Sequence, residues 1–121
     1  MAEITIEFIG QREDLDEFSY ALFETDSIGS GTTKEIPGGG TITIGRALLR
    51  KSVDAPRVIE IVLSYGKDIS AGFVAAYIYD KLKAHKGEKL CMSIEYQETH
   101  FDKGEITKII DAEIKLNEDE D

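Results

Sequence analysis

The stretch Arg57-Val58-Ile59-Glu60-Ile61-Val62-Leu63-Ser64-Tyr65 decides the fold. Under the period of two of an extended chain, Ile59, Ile61, Leu63 and Tyr65 share one face, while Val58 and Val62 make the other partly apolar. A strand apolar on both sides belongs in the middle of a sheet. Asp68, just beyond it, is placed to N-cap a helix running to about His85, whose face of Phe73, Ala76, Tyr77, Asp80 and Lys81 changes from buried to wet toward its C-terminal end. Lys81, Lys83, His85 and Lys86 gather near the end of that helix, where the backbone dipole favours positive charge, and Gly87 is placed to stop it. Residues 89–97 alternate again, with Leu90, Met92, Ile94 and Tyr96 against Cys91, Ser93, Glu95 and Gln97. The segment 57–97 is therefore strand, helix, strand. Parallel neighbours would need a right-handed crossover; separated or antiparallel strands would make the domain α+β, with helices on one sheet face.

Toward the N-terminus, Ile4, Ile6 and Phe8 alternate with Glu3, Thr5 and Glu7, a half-buried strand that Gly10 ends. Leu15, Phe18 and Leu22 then recur at helical spacing over 12–24, with acids in the first turn. Residues 27–40 hold five of the eleven glycines. Within them, Thr32 to Ile36 and Thr41 to Ile44 predict a hairpin closed by Pro37-Gly38-Gly39-Gly40. Arg46 to Lys51 reads as a short helix or a continued strand, ended by Pro56. Toward the C-terminus, Asp102 and Glu105 form a capping box for a helix carrying Ile106, Ile109, Ile110 and Ile114. The order β-α-β-β-β-α-β-α predicts an α+β fold. Its mixed sheet would have four or five strands, with about three helices packed mainly on one face. Residues 1–117 form one domain, and the acidic run 118–121 is expected to be a disordered tail.

The chain has 121 residues, the size of one domain, and a net charge of −10. That charge is segregated. Residues 1–35 carry nine acids and two bases, residues 36–89 five acids and nine bases, and residues 90–121 ten acids and three bases. The balance disfavours general nucleic-acid binding, which needs phosphate neutralisation, and fits either a solvated surface that serves solubility or one that meets a basic partner. No apolar run approaches the roughly 20 residues of a membrane span. The first residues lack a basic and apolar leader pattern, and Cys91 is the only cysteine, so a cytoplasmic location is expected.

No motif in the chain specifies a catalytic site, and no cofactor or metal is expected. The run Pro37-Gly38-Gly39-Gly40-Thr41 leads into a strand rather than a helix and lacks a following Lys-Ser/Thr pair, so it reads as a mobile hairpin tip, not a phosphate loop. His85, Cys91 and His100 have no metal-ligand spacing. Cys91, His100 and Glu95 are the one convergent set near a strand end, but nothing in the local pattern activates the thiol. Two charge clusters remain. Glu13, Asp14, Asp16, Glu17, Glu24 and Asp26 form an acidic array suited to a basic partner. Arg46, Arg50, Lys51 and Arg57 form a basic cluster that either contacts nucleic acid or an acidic protein, or pairs internally with the acidic first helix.

Val58 to Leu63, then Ala71-Gly72-Phe73-Val74-Ala75-Ala76-Tyr77-Ile78 and Lys81-Leu82-Lys83, then the strand from 89, resemble the small effector-associated constant components of bacterial conflict systems. The resemblance covers most of the chain in element order. It implies a non-enzymatic domain coupling parts of a defence system, an adaptor, immunity or inhibitor protein; it assigns no site residues. The alternative is a small-ligand-binding domain, or a small enzyme, with the glycine-rich loop 27–40 as its lid.

Overall fold

The computed structural model describes residues 2–48, 57–85 and 89–119, with the side chains of 46–48 and 119 outside that description. Six strands and three helices follow one another as β1 (Ala2–Gly10), α1 (Arg12–Phe23), β2 (Thr33–Ile36), β3 (Gly40–Leu48), β4 (Arg57–Tyr65), α2 (Ala71–Ala84), β5 (Cys91–Ile94), β6 (Gln97–Thr99) and α3 (Lys103–Asp119). The strands make one sheet in the order β2-β3-β4-β1-β5-β6, antiparallel at every neighbouring pair. The fold is α+β, as the sequence pattern implies. β4 is central, and β4 and β5 are separated by β1, so the strand–helix–strand segment spans a strand instead of joining neighbours.

The sheet is amphipathic because the strands are. Ile4, Ile6 and Phe8 of β1, Ile42 and Ile44 of β3, Ile61, Leu63 and Tyr65 of β4, and Met92 and Ile94 of β5 are buried on one face. The helices cover that face with Leu15, Phe18 and Leu22 of α1, Val74, Ala75, Ile78 and Leu82 of α2, and Ile106, Ile110 and Ile114 of α3. Phe8 and Phe18 meet with ring centroids 4.7 Å apart in a tilted pair, a geometry favoured by the ring quadrupoles.

Several local expectations change. Ser70, not Asp68, caps α2, its hydroxyl accepting from the Phe73 amide at 3.4 Å. The run 89–97 is not one strand: it folds back at Glu95-Tyr96 into β5 and β6, which supplies the sixth strand. Both turn residues have positive φ, 50° and 65°, the arrangement of a two-residue hairpin loop that ordinarily selects Asn-Gly. Glu95 donates its amide to the Thr5 carbonyl at 2.8 Å. Its carboxylate accepts from the Thr5 amide at 2.7 Å. A side chain thus takes the acceptor role that a strand carbonyl would have filled, and period two fails as a signal where the chain reverses. Asp102 does cap α3, its Oδ1 accepting from the Glu105 amide at 2.9 Å. α3 continues through Asp119, two residues into the acidic run expected to fray. Arg46 to Leu48 continue β3, and Gly87 lies outside the described residues.

The triple glycine is a packed turn, not a mobile tip. Gly38 and Gly39 have φ of 105° and 90°, and the Gly38 carbonyl accepts from the Ser70 amide at 2.8 Å. A Cβ on Gly38 would lie 3.0 Å from the Val74 amide nitrogen and 3.1 Å from the Phe73 Cβ. The hairpin tip therefore rests on the first turn of α2 at a distance only glycine permits. Gly38→Ala is expected to lower stability by about 2 kcal/mol or more, from backbone strain plus a clash with backbone. Tyr96→Gly, which relieves positive φ at an exposed residue, is expected to raise it by about 1 kcal/mol. Denaturant midpoints of the two variants check both signs.

Candidate interaction surfaces

The acidic array of α1 is largely engaged within the protein. α1 has no basic residue in its last turn, so the negative end of its dipole lacks local compensation. Glu24 adds another negative charge there, in the left-handed conformation (φ 51°) that ends the helix. Its amide donates to Ala21, and the Thr25 amide to Tyr20, a Schellman closure with glutamate where glycine is usual. Compensation comes from elsewhere in the chain. Lys34 of β2 lies 2.6 Å from the Glu24 carboxylate and Lys81 of α2 lies 3.4 Å from it. Hydrogen bonds and charge from these two lysines hold the Glu24 carboxyl below its ordinary range. Lys81 also sits 5.4 Å from the centre of the Tyr77 ring. The Tyr77 hydroxyl donates to the Leu22 carbonyl, and burial, then the Glu24 charge, pushes the phenol up to about 12. Glu24 thus joins α1, β2 and α2.

Asp16 pairs with Arg12 at 3.7 Å, and Asp14 and Glu17 also have interaction partners. Glu13 and Asp26 are exposed. Of the basic cluster, Arg57 begins β4 and Arg46 stands in register with Glu60. Arg50 and Lys51 lie outside the described residues.

A second acidic surface, invisible without the register, lies on the uncovered face of the sheet. Glu3 and Glu7 of β1, Glu60 of β4, Glu35 of β2 and Glu98 of β6 all have the parity of that face. Thr5, Ile9, Val58, Val62 and Ser93 between them are half-buried. Glu7 and Glu60 are direct cross-strand partners, a like-charge pairing that destabilises a sheet. Arg46 of β3, in register with Glu60, has the parity of the same face; no other lysine or arginine of the described strands does.

Among the described residues, concavities lie on the helical side at two places. A cavity of about 130 Å³ between α1 and the loop after it is lined by Asp16, Ser19, Ile28, Gly29, Ile44 and Ile59. Ser19 is buried, and among the described residues its hydroxyl has no hydrogen-bond partner. Only residues 28–30 of the glycine-rich segment border it; 33–36 are β2 and 37–39 are the turn against α2, so a lid of 27–40 is shortened to the loop before β2. A wider groove of about 550 Å³ runs between β6 and α3.

His85 ends α2, Cys91 is exposed on β5, and His100 Nδ1 lies 3.2 Å from Glu105 rather than near Glu95, which is bound to Thr5 at the far end of the hairpin. Among the described residues no group of three or more His, Cys, Asp or Glu side chains is placed to hold a metal ion, and no helix is long and apolar enough to cross a membrane.

The Glu24 pairs make a pH prediction. A carboxyl whose folded pKa is depressed contributes stability above its unfolded value, near 4.5, and loses that contribution as pH falls through the lower folded value. Glu24→Gln should therefore lower stability at neutral pH and flatten its decline below that value. Thermal melts of both proteins across the acid range check this; parallel curves would remove Glu24 from the account. Comparison of the chain with protein-family models, with curated proteins and with solved structures found no match.

Proposed function

We propose that this chain is a non-catalytic interaction module that presents an acidic surface to a basic protein, as an adaptor, immunity or inhibitor protein of a bacterial or phage conflict system does. The observation that carries the reading is the pairing of Glu7 with Glu60 on the uncovered sheet face. Two carboxylates directly across a strand pair disfavour a sheet, and the one base in register beside them is Arg46, across from Glu60 on β3, which leaves Glu7 without a basic cross-strand neighbour. A lysine or arginine from a partner removes that cost on binding, which is a reason to hold such a pair at a recognition surface. The remaining glutamates of the face extend the field over several strands and favour rapid, salt-sensitive association. The acids of α1 support the reading less, since Glu24 and Asp16 are already paired.

The test joins two readouts. Glu7→Gln/Glu60→Gln should be more stable than the parent, yet recover less of the proteins captured from native cell extract at low salt. Glu13→Gln/Asp26→Asn removes the same charge elsewhere and should leave capture unchanged. Equal losses from both variants would mean that net charge alone acts. No captured protein at any salt would overturn the reading.

The unpartnered Ser19 hydroxyl supports a second reading, a small-ligand site under the loop before β2. The cavity is close in size to cavities of roughly 150 Å³ that admit benzene. Phenol should raise the melting temperature more than benzene if the hydroxyl takes part, and Ser19→Ala should abolish that difference. Unchanged melting with both removes the site.

A further inference from the structure

We propose that an extended, lysine- or arginine-bearing segment of the partner docks in the groove between β6 and α3 and adds a strand to the open edge of β6. The inference rests on the reading of this chain as a module for a basic protein, and it names a site and a mode of binding that the reading leaves open.

The edge comes first. Among the described residues β6 ends the sheet and pairs only with β5. Ile94 and Gln97 close the two-residue hairpin, so they exchange hydrogen bonds with each other. The next pair, Ser93 with Glu98, is the non-hydrogen-bonded kind, which turns the amide and carbonyl of Glu98 outward. Glu98 is exposed. A strand laid alongside gains a donor and an acceptor at this residue, the mode of recognition by strand addition.

The groove beside that edge sets the chemistry of the strand. Ile109 and Ala112 give it an apolar floor, Glu105 and Glu113 stand toward its ends, and Gln97 lines it from β6. Lys108 is the only base among its lining residues, and it is exposed. Eight residues of helix separate Glu105 from Glu113, a rise of about 12 Å. Four residues of extended chain cover about 13 Å and return a side chain to the same face. A segment patterned basic–x–apolar–x–basic therefore sets one cation near each glutamate and its apolar residue over Ile109.

Charge favours this occupant over a neutral one. Glu105 is bound by the His100 amide and ring. No described cation pairs with Glu113. Partial burial and the Glu95 carboxylate hold its carboxyl above the ordinary range, and an incoming ammonium or guanidinium relieves both effects. Tyr96 is exposed at one end of β6 and offers a ring face to the stem or head of a long basic side chain; Phe101, at the other end, is stacked on Tyr79 with ring centroids 5.0 Å apart.

The probe is a seven-residue peptide with lysine second and sixth, valine fourth and threonine elsewhere, titrated into the isotope-labelled protein at low salt. Its control has glutamate in place of lysine. The lysine peptide should shift the amides of Gln97, Glu98, Ile109 and Glu113 and slow hydrogen exchange at Glu98, while the control does neither. Glu113→Gln should weaken binding about tenfold. Glu98→Pro removes the outward donor without touching a bond to β5 and should also weaken it; Ile109→Ala provides a second test if that variant does not fold. Shifts confined to Thr5, Glu7, Glu60 and Val62 would overturn the groove and leave the acidic-module reading intact. Absence of binding by the peptide, together with no basic partner captured at low salt, would overturn both.

Discussion

The nine-residue antiparallel pairing of β1 with β4 is the constraint on which the other elements depend. From Ala2 opposite Tyr65 to Gly10 opposite Arg57 there is no bulge, so Ile4, Ile6 and Phe8 fall on the same face as Leu63, Ile61 and Ile59. A slip of one residue would exchange that set for Glu3, Thr5 and Glu7 and put carboxylates into the core. β3 and β5 attach to the outer sides of this pair. α1 follows β1 after one residue, which brings Phe18 onto Phe8. α2 leaves the end of β4 and must cross β1 to deliver β5, so its apolar stripe is carried over the middle of the sheet.

The same register dictates the surface. Once Ile6 is paired with Ile61, Glu7 has no choice but to face Glu60. The core gains several buried aliphatic side chains, each contributing roughly 1.5–3 kcal/mol, and the like-charge pair costs a fraction of that. Core packing wins, and the repulsion persists on the open side as a tolerated defect. Sequence change at either glutamate would remove it without touching the core, so its presence is independent of folding. A feature that folding does not require and stability does not favour is where a binding role is most economically placed.

Elements with one uninterrupted period were legible in the sequence. The alternation in 3–9 and 57–65, the helical spacing of Leu15, Phe18 and Leu22, and the Asp102–Glu105 cap each depend on near neighbours alone. What escaped was set by distant partners or by turns with unusual residues. Glu95-Tyr96 makes a tight hairpin without asparagine or glycine because the Glu95 side chain binds Thr5, ninety residues away in sequence. Gly38 looked like loop flexibility and proved to be close packing against Val74. The acidic array on α1 was readable as composition, but its lysine partners at 34 and 81 come from β2 and α2. The glutamates of the sheet face were read one strand at a time, as the wet side of separate strands; only the register gathers them into one surface.

Charge position, more than charge total, therefore separates the surfaces of this protein. Fixed charges act over about 8 Å at physiological salt, and α1 lies on the covered side of the sheet from the face that carries Glu7 and Glu60. The two acidic regions cannot act as one electrode. On α1 the carboxylates hold elements together: Glu24 binds two lysines at the negative end of a helix dipole that would otherwise repel it. On the sheet Glu7 and Glu60 face each other across the strand pair, with Arg46 in register on the far side of Glu60, and at the β6 edge Glu113 is raised by burial and by Glu95 without a described cation to offset either. A cation brought by another molecule gains least where carboxylates are already satisfied and most where they are not. That ordering favours the open face and the adjoining edge over the first helix, although the first helix has the denser acidic sequence.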